Sequence, residues 1–185
     1  MSITIRKKSD GRITPTLFAF GIMVNEKDSG DFSKAGIRLP LQGVAGTFCQ
    51  SVKPGTELYL AGGIGVTPFL AMIEARRSED DIILVISCRS NELPAFEKLV
   101  AQSVGKSDYE NVKVKYHISG ESSINPSELY HLGRITASSL ASLDLKGSKR
   151  RLSLCGSEMH AKGVLAALTE NGIDEKEVHR ESFAY

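Results

Sequence analysis

The chain has 185 residues, 41% hydrophobic and 24% charged, with a formal net charge of +1. Such a composition fits one water-soluble domain, or one with a smaller companion, and excludes a broad basic field for nucleic acid or an anionic membrane. No apolar run reaches the roughly 18 to 20 residues of a membrane-spanning helix, and Cys49, Cys88 and Cys155 have neither disulfide nor metal-ligand spacing.

The N-terminal MSITIRKKSDGRITPTLF carries four basic residues but no apolar core or small-residue cleavage pattern. No secretory signal is expected, and the cysteine usage suits a reducing, cytoplasmic setting. The first fifty or so residues read as β structure. ITIRKKSDGRITP alternates and turns at Asp10-Gly11, TLFAFGIMV is a second apolar stretch, and EKDSGDFSKAG is a polar loop. IRLPLQGVAGTF follows, where Pro40 suits an edge or a strand end.

From Glu57 the texture changes to strands alternating with helices, with the boundary near Lys53-Pro54-Gly55. ELYLAG predicts a strand, and TPFLAMIEARRS a helix with Pro68 in its first turn, where a missing N–H is harmless. DIILVISC is an unbroken apolar run of the kind found inside a parallel sheet. NELPAFEKLVAQSV predicts a helix, NVKVKYHIS a strand, TASSLASLDL a short helix and RLSLCGS a strand. EMHAKGVLAALTENG predicts an amphipathic helix stopped by Gly172, and EVHRESFAY a last strand. The expected fold class is α/β: a parallel sheet with helices on both faces.

The turn AGGIGVTPF stands out. In an open parallel sheet, ligands bind where strands end and helices begin. Glycines there let a phosphate approach the main chain, and the following helix offers unpaired N–H groups to it. Gly62, Gly63, Gly65, Thr67 and Pro68 therefore read as a pyrophosphate cradle, with a merely tight chain crossing as the structural alternative. The spacing is neither Gly-x-Gly-x-x-Gly nor a P-loop.

Taken with LCGSEMH and HRESFAY further on, AGGIGVTPFLAMI resembles the nucleotide-binding half of the ferredoxin–NADP reductase superfamily. The three motifs occur in the family's order, from about Leu58 to the end of the chain. The resemblance implies that residues 55–185 form an NAD(P)-binding α/β domain, whose glycine turn takes NAD(P)H. It implies that Cys155 lines the nicotinamide as a small, soft wall beside Gly156 and Ser157, that Glu181 holds the carboxamide or relays a proton, and that Phe183 and Tyr185 stack on a flavin. A buried core cysteine, a solvated carboxylate and ordinary strand packing are the respective alternatives. Arg89 and Ser90, at the end of the second strand of that domain, are candidates for a 2′-phosphate, leaving NADH and NADPH both open. Gly133-Arg134-Ile135 reads as a structural element.

The resemblance also implies that residues 1–54 are part of a flavin-binding β-barrel. Gly11, Arg12, Ile13 and Thr14 are similar to the family's Gly-x-x-Ser flavin element, with Thr14 in the place of Ser, and Gly43 to Phe48 are similar to the segment that closes the barrel. No Arg-x-Tyr-Ser, the family's other flavin element, occurs in the chain. Two expectations follow. The first is an NAD(P)H-dependent oxidoreductase that moves hydride from NAD(P)H to FAD or FMN and electrons on to a separate acceptor, a protein or a small molecule. The second is a flavin-free NAD(P)-binding subunit or regulatory module; another chain completing the barrel is a conceivable partner. The four histidines have no metal spacing and no nucleophile elbow is present, so neither a metal site nor hydrolase chemistry is expected. Lys146 to Arg151 reads as a solvated turn, or as a docking point for an acidic electron-transfer partner.

Overall fold

A computed structural model describes residues 48, 55–76, 79–104, 111–121, 123–143, 145 and 150–183, the last two as backbone only. All of them belong to a unit that runs from Phe48 to Tyr185. Six strands, β1 (Thr56–Gly62), β2 (Asp81–Arg89), β3 (Val112–Ser119), β4 (Tyr130–Leu132), β5 (Arg151–Ser157) and β6 (Val178–Phe183), form one sheet in the order β4-β3-β2-β1-β5-β6. Every neighbouring pair is parallel. Four α-helices lie between them: α1 (Thr67–Glu74), α2 (Leu93–Val104), α3 (Ala137–Ala141) and α4 (Glu158–Glu170).

Side chains alternate between faces along a strand, and each face has its own helices. Tyr59, Ala61, Leu84, Ile86, Tyr116, Ile118 and Cys155 pack with Phe69 and Ile73 of α1 and Phe96 and Val100 of α2. Leu58, Leu60, Ile83, Val85, Leu152 and Leu154 pack with Leu140 of α3 and Val164, Leu165 and Leu168 of α4. Complete burial of each such aliphatic or aromatic group stabilises the fold by about 1.5–3 kcal/mol before entropy is counted. The expected parallel sheet with helices on both faces is thus the observed one.

The end of α4 follows from its sequence. Gly172 has φ of +75°, a left-handed conformation that its lack of a Cβ permits. Gly172 N–H donates to the Thr169 carbonyl at 2.8 Å and Ile173 N–H to that of Leu168 at 3.1 Å. Ile173 is buried in the same cluster as Leu168. These are the paired hydrogen bonds and apolar contact of a Schellman stop.

Two features depart from the sequence expectation. Five strands were expected in this unit and six are present, because Tyr130–Leu132 adds a short edge strand to β3. Three residues carry no readable period; the strand is held instead by stacking of Tyr130 on Tyr116, with ring centroids 5.9 Å apart, and by a hydrogen bond from the Tyr130 hydroxyl to Glu97. Helix α1 also stops at Glu74, short of the expected run to residue 78. Arg76 explains the stop: its guanidinium donates to the Ile73 carbonyl at 2.8 Å and to the Val104 carbonyl at 3.2 Å. One cation thereby serves the C-terminal ends of α1 and α2, where the helix dipole favours positive charge.

Arg76→Ala is expected to lower unfolding stability by about 1–3 kcal/mol, because charged hydrogen bonds to two helix ends are lost. Chemical denaturation of the variant measures this, and an unchanged midpoint would show that the two bonds are not formed in solution.

Candidate functional site

The strand order reverses once. From β1 the chain proceeds through β2 and β3 to β4 on one side, then returns to place β5 and β6 on the other. The carboxyl ends of β1 and β5 therefore border a crevice, the place in an open α/β sheet where ligands bind. Ala61 pairs in register with Cys155 there, and Gly62, Gly156 and Ser157 follow immediately. The sequence-predicted residues of the two motifs, more than ninety positions apart, are brought together at this point.

The glycines have a specific cause. A Cβ on Gly65 would overlap the Cys155 carbonyl and lie 2.8 Å from Gly156 N. A Cβ on Gly62 would overlap the ring of His160, and one on Gly156 would lie 2.8 Å from His160 Cδ2 and 3.1 Å from Gly62 Cα. The turn after β1 thus rests directly on the end of β5, while the His160 ring closes the same contact from the α4 side. The glycines are accounted for by a tight crossing of two backbones, the structural alternative named above.

Two helices start at this crevice, and they differ. Ser157 caps α4, its Oγ accepting from His160 N–H at 3.3 Å. Its oxygen is therefore engaged within the protein, which modifies its expected place among the cofactor-binding groups. No capping side chain serves α1 among the described residues. The Thr67 hydroxyl donates to the Ile64 carbonyl at 3.0 Å, fixing the turn, and Pro68 occupies the first turn of the helix. Thr67 N–H donates to the Ile64 carbonyl and Pro68 has no N–H, so the positive end offered to a phosphate is that of the 3-10 turn Gly63–Val66, which leads into α1 and also has no capping side chain. This uncapped helix start, together with backbone that only glycine allows, fits the diphosphate of a dinucleotide.

Cys155 is fully buried on the α1 side of the sheet, within the core cluster that includes Tyr59, Ala61 and Phe69. Burial first, and the carboxylate of Glu181 second, push its thiol up to about 12. It stays protonated at neutral pH and is a buried core thiol, not a nucleophile. Glu181 stands opposite it on β6 and is exposed. Arg89 is exposed at the end of β2, two positions beyond Ser87, the register partner of Gly62. Its own N–H donates to Glu92 Oε2 at 3.1 Å. The backbone of Phe183 lies opposite Ser157. Gly11, Thr14 and Tyr185 lie outside the described residues.

Sequence reasoning passed over His160. Its only signal was position, three residues after the Ser that caps a helix leaving the sheet. Burial holds its pKa down to about 4, so the ring is neutral, and its Nε2 finds no hydrogen-bond partner among the described residues.

No protein-family model and no curated protein matches the chain. Solved structures do. A flavohemoglobin from Malassezia yamatoensis with bound FAD and heme matches at 28% identity and a TM-score of 0.55, over 72% of this chain and 33% of that one. The flavohem-like FAD/NAD-binding domain of nitric oxide dioxygenase from Vibrio cholerae O1 biovar El Tor matches at 21% identity and a TM-score of 0.54, over 75% and 55%. The ferredoxin reductase of a carbazole 1,9a-dioxygenase matches at 14% identity and a TM-score of 0.65, over 97% and 50%. The chain spans 33 to 55% of the length of these structures. The fold is therefore that of the ferredoxin reductase type, as its motifs implied.

Two outcomes follow from the crevice. Gly65→Ala is expected to cost about 1–3 kcal/mol of stability, since its methyl meets backbone that cannot rotate away; a variant as stable as the parent would refute the close contact. His117, like His160, is held down to about 4, by burial first and His131 second. Unfolded histidine takes its proton near 6.5. Between these values the unfolded chain binds more protons, so the stability contributed by the neutral rings is complete above about pH 6.5 and is lost as pH falls towards 4. Urea midpoints from pH 7 to pH 5 are expected to fall, and to fall less steeply in His160→Phe; equal slopes would place the ring in water.

Proposed function

We propose that the β1/β5 crevice binds a nicotinamide dinucleotide and that the chain is the NAD(P)H-binding part of a flavin oxidoreductase of ferredoxin reductase type. The observation that carries this reading is the reversal of strand order at two glycine-bearing strand ends, beside a helix with no capping side chain. The likeness to flavin- and NAD-binding structures supports it. The bound nicotinamide would supply a hydride to FAD or FMN, and the electrons would pass to a separate protein or small-molecule acceptor. Residues 55–185 would bind the dinucleotide and residues 1–54 would be part of a flavin-binding β-barrel. No helix among the described residues is long and apolar enough to cross a membrane, and we place the chain in the cytoplasm.

Each residue then has a defined task. Backbone at Gly62, Gly63 and Gly65 holds the diphosphate, and Thr67 and Pro68 shape the turn that leads into α1. Cys155 and Gly156 present an uncharged wall to the nicotinamide, so catalysis rests on positioning, as expected where the cofactors carry the chemistry. The neutral thiol offers no charge to compete with a positive ring. Glu181, exposed beside it, holds the carboxamide or moves a proton. Arg89 at the end of β2 meets the 2′ position of the adenosine. Phe183, Tyr185, Gly11 and Thr14 are assigned to flavin binding on the resemblance alone.

The purified full chain is tested by absorbance with added FAD or FMN, then with NADH and NADPH, alongside calorimetry of each dinucleotide. Saturable binding of at least one dinucleotide is expected, and a retained flavin that bleaches on its addition would name the donor. Dinucleotide binding without flavin would replace the reductase by a flavin-free NAD(P)-binding module. Binding of neither dinucleotide would overturn the reading.

A further inference from the structure

Asn171 and Gly172 form the single Asn-Gly step among the chain's five asparagines, and they stand where α4 ends. The Asn171 side chain ties two helices together. Its Nδ2 donates to the Ala167 carbonyl of α4 at 2.9 Å and to the Ala137 carbonyl, at the start of α3, at 2.9 Å. Both hydrogens of the amide are thereby used. Gly172, in its left-handed conformation, donates its own N–H to the Thr169 carbonyl at 2.8 Å. The two helices so joined bury Leu140 and Leu168 in one cluster, while Gly172 itself is exposed.

An asparagine followed by glycine carries a chemical hazard. The next backbone nitrogen can attack the side-chain carbonyl carbon, and glycine alone puts no Cβ in its way. A bond forms from Gly172 N to Asn171 Cγ, the Cγ–Nδ2 bond breaks, and ammonia leaves with the Gly172 proton, carried to it by water. Water then opens the cyclic imide at either carbonyl, giving aspartate or isoaspartate at position 171. No oxidant or reductant takes part.

In the fold each participant is engaged elsewhere. The Gly172 proton is held by Thr169 and the leaving amide by two carbonyls. Ring closure also requires the Gly172 nitrogen to swing round beside the Asn171 Cβ, and the near-helical backbone of Asn171, φ −84° and ψ 4°, turns it away. A carboxylate made at this position could not restore the arrangement. It has no proton to donate to the Ala137 and Ala167 carbonyls, and it adds negative charge at a helix C-terminus, where the dipole opposes it.

We infer that Asn171–Gly172 is a self-modification site that the folded chain keeps closed: deamidation proceeds when the α3–α4 clasp opens, and its product cannot remake the clasp. A passing unfolding event is thereby converted into a lasting covalent change. The inference does not depend on what the crevice binds.

The test incubates the full chain at mildly alkaline pH, folded in buffer and unfolded in guanidinium chloride, and follows aspartate and isoaspartate at position 171 by peptide mass mapping. The folded chain is expected to react about a hundredfold more slowly, three hydrogen bonds at roughly fivefold each. Thermal melts of Asn171→Ala and Asn171→Asp examine the product. Both lose the clasp, and Asn171→Asp, with its added charge, is expected to melt about 5–10 °C below the parent and lower than Asn171→Ala. Equal rates in the folded and unfolded chain, or an unfolded chain that leaves Asn171 intact, overturn the closed site. An Asn171→Asp chain that melts with the parent overturns the lasting change. If Asn171→Asp fails to fold where Asn171→Ala folds, the lasting change stands, and the two rates of the parent, which need no variant, still decide the closed site.

Discussion

The structure depends on a backbone-to-backbone contact. The turn after β1 rests on the end of β5 because Gly65 leaves room for the Cys155 carbonyl, and Gly62 and Gly156 leave room for each other and for His160. Interiors are packed too closely for such a contact to admit a methyl group without displacement. From it follow the departure of α1 and α4 to opposite faces and the floor of the crevice between them. Ala61, a small residue in register with Cys155, keeps the adjoining layer equally close.

The electrical character of the crevice follows from the same packing. Enclosure keeps Cys155 a thiol and His160 an uncharged imidazole, so neither contributes a formal charge at neutral pH. The nearby carboxylate, Glu181, is exposed on β6, and the cation Arg89 is exposed on β2, so they stand on opposite sides of the β1/β5 pair. Between them the fixed partial charges are those of the main chain and of the helix start. On the proposed reading such a surface would orient the dinucleotide by shape and dipoles, with Glu181 the nearby exposed acid.

Much of this was legible in the sequence. DIILVISC reads as a strand inside a parallel sheet and Gly172 as a helix stop, and the structure has both. Cys-Gly-Ser and the glycine turn announced two strand ends of the same kind. Their meeting was not legible from spacing, since strand order depends on which faces are covered, and the resemblance supplied it. Local pattern failed where tertiary contacts decide. Tyr130–Leu132 is a strand because β3 offers an edge and Glu97 a partner. Helix α1 is short because Arg76 reaches across to α2. His160 has no motif of its own; its importance comes from facing glycines that lie elsewhere in the chain. Ser157 was recognised, and its hydroxyl turned out to serve its own helix.

The position of β5 has a consequence for how the chain comes into being. β1 to β4 are contiguous in sequence and adjacent in the sheet, so they can associate while the rest is still being synthesised. β5 arrives more than ninety residues after its partner β1, a pairing of high contact order and correspondingly late formation. Until then one side of the central strand is a bare edge and the turn after it has nothing to rest on. A nascent chain stopped before Arg151 would have four of the six strands but not the contact between the ends of β1 and β5, so the proposed dinucleotide site could take shape only after β5 has been made.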